Sequence, residues 1–147
     1  MRLAQHIETH IHTGDAADTV TLDYEARFLR RKRLVSDAGE PFLVELSETQ
    51  SLNQGEGFRL DDGRIIAVMA AAEPLLAVRH GNLARIAWHV GNRHTPCQIA
   101  NDHILIREDK VLQAMLEGLG ASVAQVIAPF TPEGGAYGHG RTHGHEH

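Results

Sequence analysis

Leu75-Leu-Ala-Val-Arg-His-Gly-Asn-Leu-Ala-Arg-Ile-Ala-Trp-His-Val-Gly91 changes its hydrophobic period partway along. Leu75 to Val78 is a short apolar run of strand type, and Gly81-Asn82 interrupts it. Leu83, Ile86, Ala87 and Val90 then recur at i, i+3, i+4 and i+7, one face of a helix that Gly91 is expected to close. Two short strands follow, Cys97–Ala100 and His103–Ile106, around an Asn101-Asp102 turn. Asp109 is placed to cap a second helix whose Leu112, Met115, Leu116 and Leu119 share a face, with Gly120 as its stop. Ala121 to Ile127 is a last strand. The order βαββαβ is that of a ferredoxin-like domain.

Upstream the period is two. Asp18–Tyr24 alternates, Leu29–Leu34 reads as a strand, and Phe42–Leu46 is a short apolar strand behind Pro41. Phe58–Leu60 and Arg64–Ala70 flank Asp61-Asp62-Gly63, a hairpin signal. Strands at this spacing indicate a small barrel or sandwich. Glu73-Pro74 breaks the pattern and is read as the domain boundary. The expected architecture is α+β: an amino-terminal all-β domain over residues 1–73, a ferredoxin-like domain over 74–132, and a flexible His-rich tail over 133–147.

Composition narrows the function. The chain has 147 residues and a net charge of −5 with histidine neutral, so nucleic acid is not an expected partner. Arg30-Arg31-Lys32-Arg33 is the one basic run; it reads as a solvated strand edge or a recognition strip for an acidic protein. There is no run of 18 apolar residues and no apolar signal-peptide core, so no membrane association and a cytoplasmic location are expected. Cys97 is the only cysteine, which excludes an intrachain disulfide framework and any thiolate-rich metal site. No phosphate-binding G-x-x-x-x-G-K-[ST], H-E-x-x-H, G-x-S-x-G or Cys-x-x-Cys motif is present, and the chain is not expected to be an enzyme.

Histidine is where chemistry concentrates. Four of the 11 histidines, His139, His143, His145 and His147, fall in the last nine residues among glycines. Imidazoles on a glycine-rich chain can fold around a borderline divalent ion such as nickel, copper or zinc at little steric cost. The H-x3-H-x-H-x-H spacing is not the uninterrupted run of a purification tag. Internally, Trp88-His89-Val90-Gly91-Asn92-Arg93-His94-Thr95-Pro96 holds two candidates. Helical periodicity places His89 off the centre of the apolar face, where a surface or packed imidazole is the plainer reading. His94, beyond Gly91 and held by Pro96, stands open between ligand and loop residue.

Gly91-Asn92-Arg93-His94, with Trp88-His89-Val90 before it and Thr95-Pro96 after it, resembles the G-N-R-H signature of the urease accessory protein E family, nickel chaperones of urease maturation. Leu60-Asp61-Asp62-Gly63-Arg64, Ala71-Ala72-Glu73-Pro74-Leu75 and the terminal histidines follow in the family's order. The resemblance implies a partner-binding β-domain ahead of a metal domain, and a homodimer in which the motif histidine of each chain faces its twofold mate. It assigns His94 as the principal nickel ligand, with Gly91, Asn92 and Arg93 as the surrounding motif. It further implies delivery of Ni(II) to the urease apoprotein together with accessory proteins that include a GTPase.

The sequence departs from the family at the start of the second helix, where several members carry additional histidines and this chain has Arg107-Glu108-Asp109-Lys110. Oxygen ligation by Glu108 and Asp109 is weighed there against helix capping, the plainer reading. His103 and His89 are auxiliary metal candidates, and Cys97 is expected to be structural. Zn(II) or Cu(II) would compete with Ni(II), since nitrogen sites bind copper more tightly under the Irving–Williams order. The rival to delivery is a storage protein whose tail sequesters metal. A third alternative is a folding helper whose histidines are incidental.

Overall fold

The computed structural model describes residues 1–12 and 14–134. The chain divides into two compact units between Ala71 and Ala72. The first is β-rich: β1 (Arg2–Glu8), β2 (Asp18–Leu22), β3 (Phe28–Val35), β4 (Pro41–Ser51), β5 (Gly57–Leu60) and β6 (Ile65–Ala70). They form one six-stranded sheet in the order β2-β6-β5-β1-β4-β3. β1 runs parallel to β4 and antiparallel to β5, so a strand that the sequence reading left unassigned lies in the interior of the sheet. Its alternation is weak because only Ala4 along it is fully buried.

Alternation elsewhere sorts the side chains well. Phe42, Val44 and Leu46 of β4 point inward, as do Phe58 and Leu60 of β5 and Ile66 and Val68 of β6. The Phe42 and Phe58 rings meet at 5.7 Å and 56°, a tilted contact that aromatic quadrupoles favour. At the Asp61-Asp62-Gly63 hairpin the Gly63 amide donates to the Leu60 carbonyl at 2.9 Å. Gly63 takes φ +90 there, a conformation closed to most side chains.

The sheet curls into a half-barrel, and its two outer strands are linked just past the end of β3. Asp37 donates its amide to the Thr19 carbonyl, and its carboxylate accepts from the Thr19 and Thr21 hydroxyls at 2.5 and 2.8 Å. Arg64 donates to both Glu40 oxygens at 2.7 and 2.5 Å and to Asp62 at 2.8 Å. The Thr19 hydroxyl holds the Asp37 carboxyl below its ordinary value, and Arg64 does the same for Glu40 and Asp62. Carboxyls with depressed values contribute stability that is complete above the ordinary carboxylate range and lost as pH falls through the folded value. Melting temperature is therefore expected to fall below about pH 4. Asp37→Asn should shrink the difference between melts at neutral and acid pH; an unchanged difference would show that the Asp37 link does not carry it.

The second unit has β7 (Ala72–Arg79), α1 (Leu83–Asn92), β8 (Gln98–Ile99), β9 (Ile104–Arg107), α2 (Lys110–Gly118) and β10 (Ser122–Pro129). The four strands lie in the order β10-β7-β9-β8, every neighbouring pair antiparallel. Glu73 and Pro74 lie inside β7. Pro74 pairs only with Ile127 of β10, because β9 joins from Leu75 onward, so its missing N–H breaks no inner ladder. Ile86 and Val90 of α1 and Leu112 and Leu116 of α2 pack with Leu76, Val78, Ile104 and Ile106 of the sheet. Leu83, Ala87, Met115 and Leu119 complete the helical faces read from the sequence. The Ala100 amide donates to the His103 carbonyl at 3.0 Å, closing the expected turn at Asn101-Asp102.

Candidate metal centre

One expectation about α1 needs correction. Gly91 does not close the helix: α1 runs through Asn92, and Gly91 is absent from the glycines with positive φ. The left-handed stop is His94 itself, at φ 57. Its amide donates to the Gly91 carbonyl at 2.9 Å, and the Thr95 amide donates to the Val90 carbonyl at 3.3 Å. With Arg93 as C-cap, these are the two bonds of a Schellman motif, in which the residue after the cap is usually glycine.

α2 ends in the same motif and supplies an internal comparison. The Gly120 amide donates to the Glu117 carbonyl and the Ala121 amide to the Leu116 carbonyl, both at 3.0 Å. Gly120 has φ +89. At the matching position of α1 the chain places an imidazole, at a strain of about 1–3 kcal/mol for a residue with a β-carbon. Among the described residues only His10 and His94 adopt positive φ without being glycine.

The consequence is positional. His94 is exposed, and hydrogen bonds on either side fix its backbone at the carbonyl end of α1, where the helix dipole is negative and favours a cation. The sequence places His94 on a connection beyond the helix stop, whereas in the structure His94 is the stop. Pro96, two residues on, was the available signal, since proline often follows a C-cap closely.

The other candidates are dispersed. His89 is half-buried, and its ring meets Trp88 edge-on at 5.0 Å and 89°; Trp88 itself is 63% exposed. His103, at the β8–β9 turn, has Nδ1 2.6 Å from Asp102 Oδ1, a pairing that orients the ring and lowers the carboxyl below its ordinary value. Cys97 packs against the core of the unit, and burial, with the Glu133 carboxylate, pushes its thiol up and disfavours the thiolate a metal would need. Asp109 caps α2, accepting from the Leu112 amide at 3.0 Å, while Glu108 is exposed. Among the described residues no group of three or more His, Cys, Asp or Glu is placed to hold a metal ion. His139, His143, His145 and His147 lie outside the described residues.

Comparison with known proteins matches both units. A family model described as UreE urease accessory protein, N-terminal domain, covers residues 2–71, and one described as the C-terminal domain covers residues 73–147. A urease accessory protein UreE of Ruegeria pomeroyi is 57% identical over 136 residues, 92% of this chain and 91% of the relative. That of Rhodobacter capsulatus is 61% identical over 132 residues, 90% and 84% of the two chains, and that of Paracoccus denitrificans 62% identical over 123 residues, 84% and 79%. With family models matching on both sides of the junction and identities of this size over most of each chain, the protein belongs to the UreE family of urease accessory proteins.

Proposed function

We propose that the chain is a nickel metallochaperone: it carries Ni(II) as cargo and delivers it to the urease apoprotein during active-site assembly, with no catalytic step of its own. The observation that carries the reading, beside membership of the family, is an exposed imidazole fixed at the carbonyl end of α1 in a conformation that glycine would adopt more readily. The strand order β10-β7-β9-β8 with its two helices supports a ferredoxin-like metal domain.

His94 is the principal ligand in this reading. One histidine per chain is insufficient for a tight site, and a homodimer resolves this: a twofold axis sets residue i against its own copy, so one imidazole per protomer gives a two-nitrogen site. Such a site leaves coordination positions open to water, to His139, His143, His145 or His147, or to a recipient. Incompleteness suits a donor, because a closed four-ligand cage would release its ion slowly. His103, oriented by Asp102, and His89 are auxiliary ligands at most. The recipients are the urease apoprotein and its accessory proteins, the GTPase among them, and the setting is cytoplasmic. No helix among the described residues is long and apolar enough to cross a membrane, which agrees with that setting.

Calorimetric nickel titration tests the division of labour. Deleting residues 138–147 is expected to lower the number of ions bound while leaving one tight site per dimer. If deletion removes all binding and His94→Ala removes none, the tail is the site, and sequestration replaces delivery as the function.

A further inference from the structure

β3 is an outer strand of the first sheet and carries Arg30, Arg31, Lys32 and Arg33 in succession, all exposed, in a chain whose net charge is −5. We propose that this edge is a docking site for an extended acidic segment of a client protein, which adds to the sheet as a further strand beside β3.

Three observations carry the proposal. The first is register. Leu34 is buried, so alternation turns Arg31, Arg33 and Val35 to the opposite face, and a bulge between Leu29 and Arg31 brings both leucines inward despite their odd spacing. Arg31 and Arg33 therefore stand about 7 Å apart along one face, the repeat at which alternate residues of any paired strand recur.

The second is a precedent within the sheet. On its inner side β3 already sets Arg31 opposite Glu45 of β4, with 3.8 Å between Nε and a carboxylate oxygen. An incoming strand with acidic residues at alternate positions would repeat that arrangement on the outer side, facing Arg31 and Arg33. Glu45, with its side chain 42% exposed, is too solvated to neutralise the strip.

The third is selection by charge. Arg27 and Asp37, just outside the two ends of β3, hold it to β2; between them β3 pairs with no second strand among the described residues, and such an edge recruits other strands through its backbone amides and carbonyls. A second copy of this edge would set four cations against four and is repelled, so the occupant is of opposite charge. Phe28 and Val35, 37% and 51% exposed, bracket the cations and offer apolar contact at either end of the docked segment.

The proposal rests on the reading that the chain serves a protein client but not on the nickel site, and the test separates the two. Full-length protein without metal is titrated with a short fluorescein-labelled peptide alternating Glu and Thr. Binding that weakens as salt rises is expected, with a loss of about tenfold or more in Arg31→Gln/Arg33→Gln. Arg79→Gln/Arg85→Gln, which removes equal charge elsewhere, should bind like the parent. A peptide methylated on its backbone nitrogens keeps the charge but cannot donate to β3, and should bind weakly. Equal binding by that peptide, equal binding by Arg31→Gln/Arg33→Gln, tighter binding of an oligothymidylate of the same charge, or no binding at low salt would each overturn the proposal. Nickel affinity of Arg31→Gln/Arg33→Gln should match the parent, so failure of the docking proposal leaves the metal reading standing.

Discussion

His94→Ala is expected to weaken the tightest nickel site by on the order of 100-fold or more, since losing a ligand costs at least as much as losing a residue that merely orients one. Urease activation should fail at limiting nickel while the association state of the protein stays that of the parent. A second variant separates ligation from folding. His94→Gly removes the same imidazole and also the β-carbon held at φ 57. Relief of about 1–3 kcal/mol of left-handed strain outweighs the roughly 0.5–1 kcal/mol of extra chain entropy that glycine loses on folding. His94→Gly should therefore melt at a higher temperature than the parent, by about 1 kcal/mol of stability, and still bind nickel as poorly as His94→Ala. His94→Ala keeps a β-carbon in the left-handed region and should show no such gain. A glycine variant that melts below the alanine variant would refute the strain argument. A glycine variant that still binds tightly would remove His94 from the site.

The proposed trade between stability and function at His94 bears on what is legible in the sequence. Periodicity revealed both helical faces of the second unit, because α1 and α2 each bury a single stripe against the sheet and the spacing of Ile86 and Val90, or Leu112 and Leu116, records it directly. Gly120 was readable as a helix stop because residue type and backbone conformation agree there. At the end of α1 they disagree. A reading that assigns the stop to the nearest glycine chooses Gly91, whereas the chain continues through Asn92 and turns at His94. A local rule is broken where a side chain is wanted for something other than folding. β1 was missed for a different reason: its place between β4 and β5 comes from pairing with residues 42–44 and 57–60, which no local pattern in Arg2–Glu8 announces. The proposed metal site is legible as a motif and not as a cluster, since Gly91-Asn92-Arg93-His94 supplies one imidazole and no group of three or more His, Cys, Asp or Glu is placed to hold a metal among the described residues.

Arg27 was not legible at all, and its replacement has the second large expected effect. Glu25-Ala-Arg27 lies between the strands expected at Asp18–Tyr24 and Leu29–Leu34 with no role legible for its arginine, yet Arg27 is 1% exposed. Its Nε donates to the Leu52 carbonyl and an Nη to the Leu22 carbonyl, each at 3.1 Å, and its guanidinium lies 5.9 Å from the centre of the Tyr24 ring. Its backbone adds two bonds, the amide donating to the Asp23 carbonyl at 3.1 Å and the carbonyl accepting from the Leu52 amide at 2.9 Å. One side chain thus ties the end of β2, the turn into β3 and the residue just past β4. Arg27→Met fills much of the space but donates nothing, so buried carbonyl oxygens lose charged donors. Leaving two buried carbonyl oxygens without donors costs about 1–3 kcal/mol each, a large part of the stability of a small unit. Arg27→Lys should recover little of it, since an ammonium cannot reproduce the planar fork that reaches two carbonyls at once. Because Arg27 immediately precedes β3, its loss should also release the strand that carries the basic edge. Chemical denaturation would show the Arg27→Met midpoint well below the parent, and hydrogen exchange should quicken first in residues 22–29. A midpoint within about 1 kcal/mol of the parent would mean that water replaces the lost donors without penalty, and that the turn rather than the guanidinium positions β3.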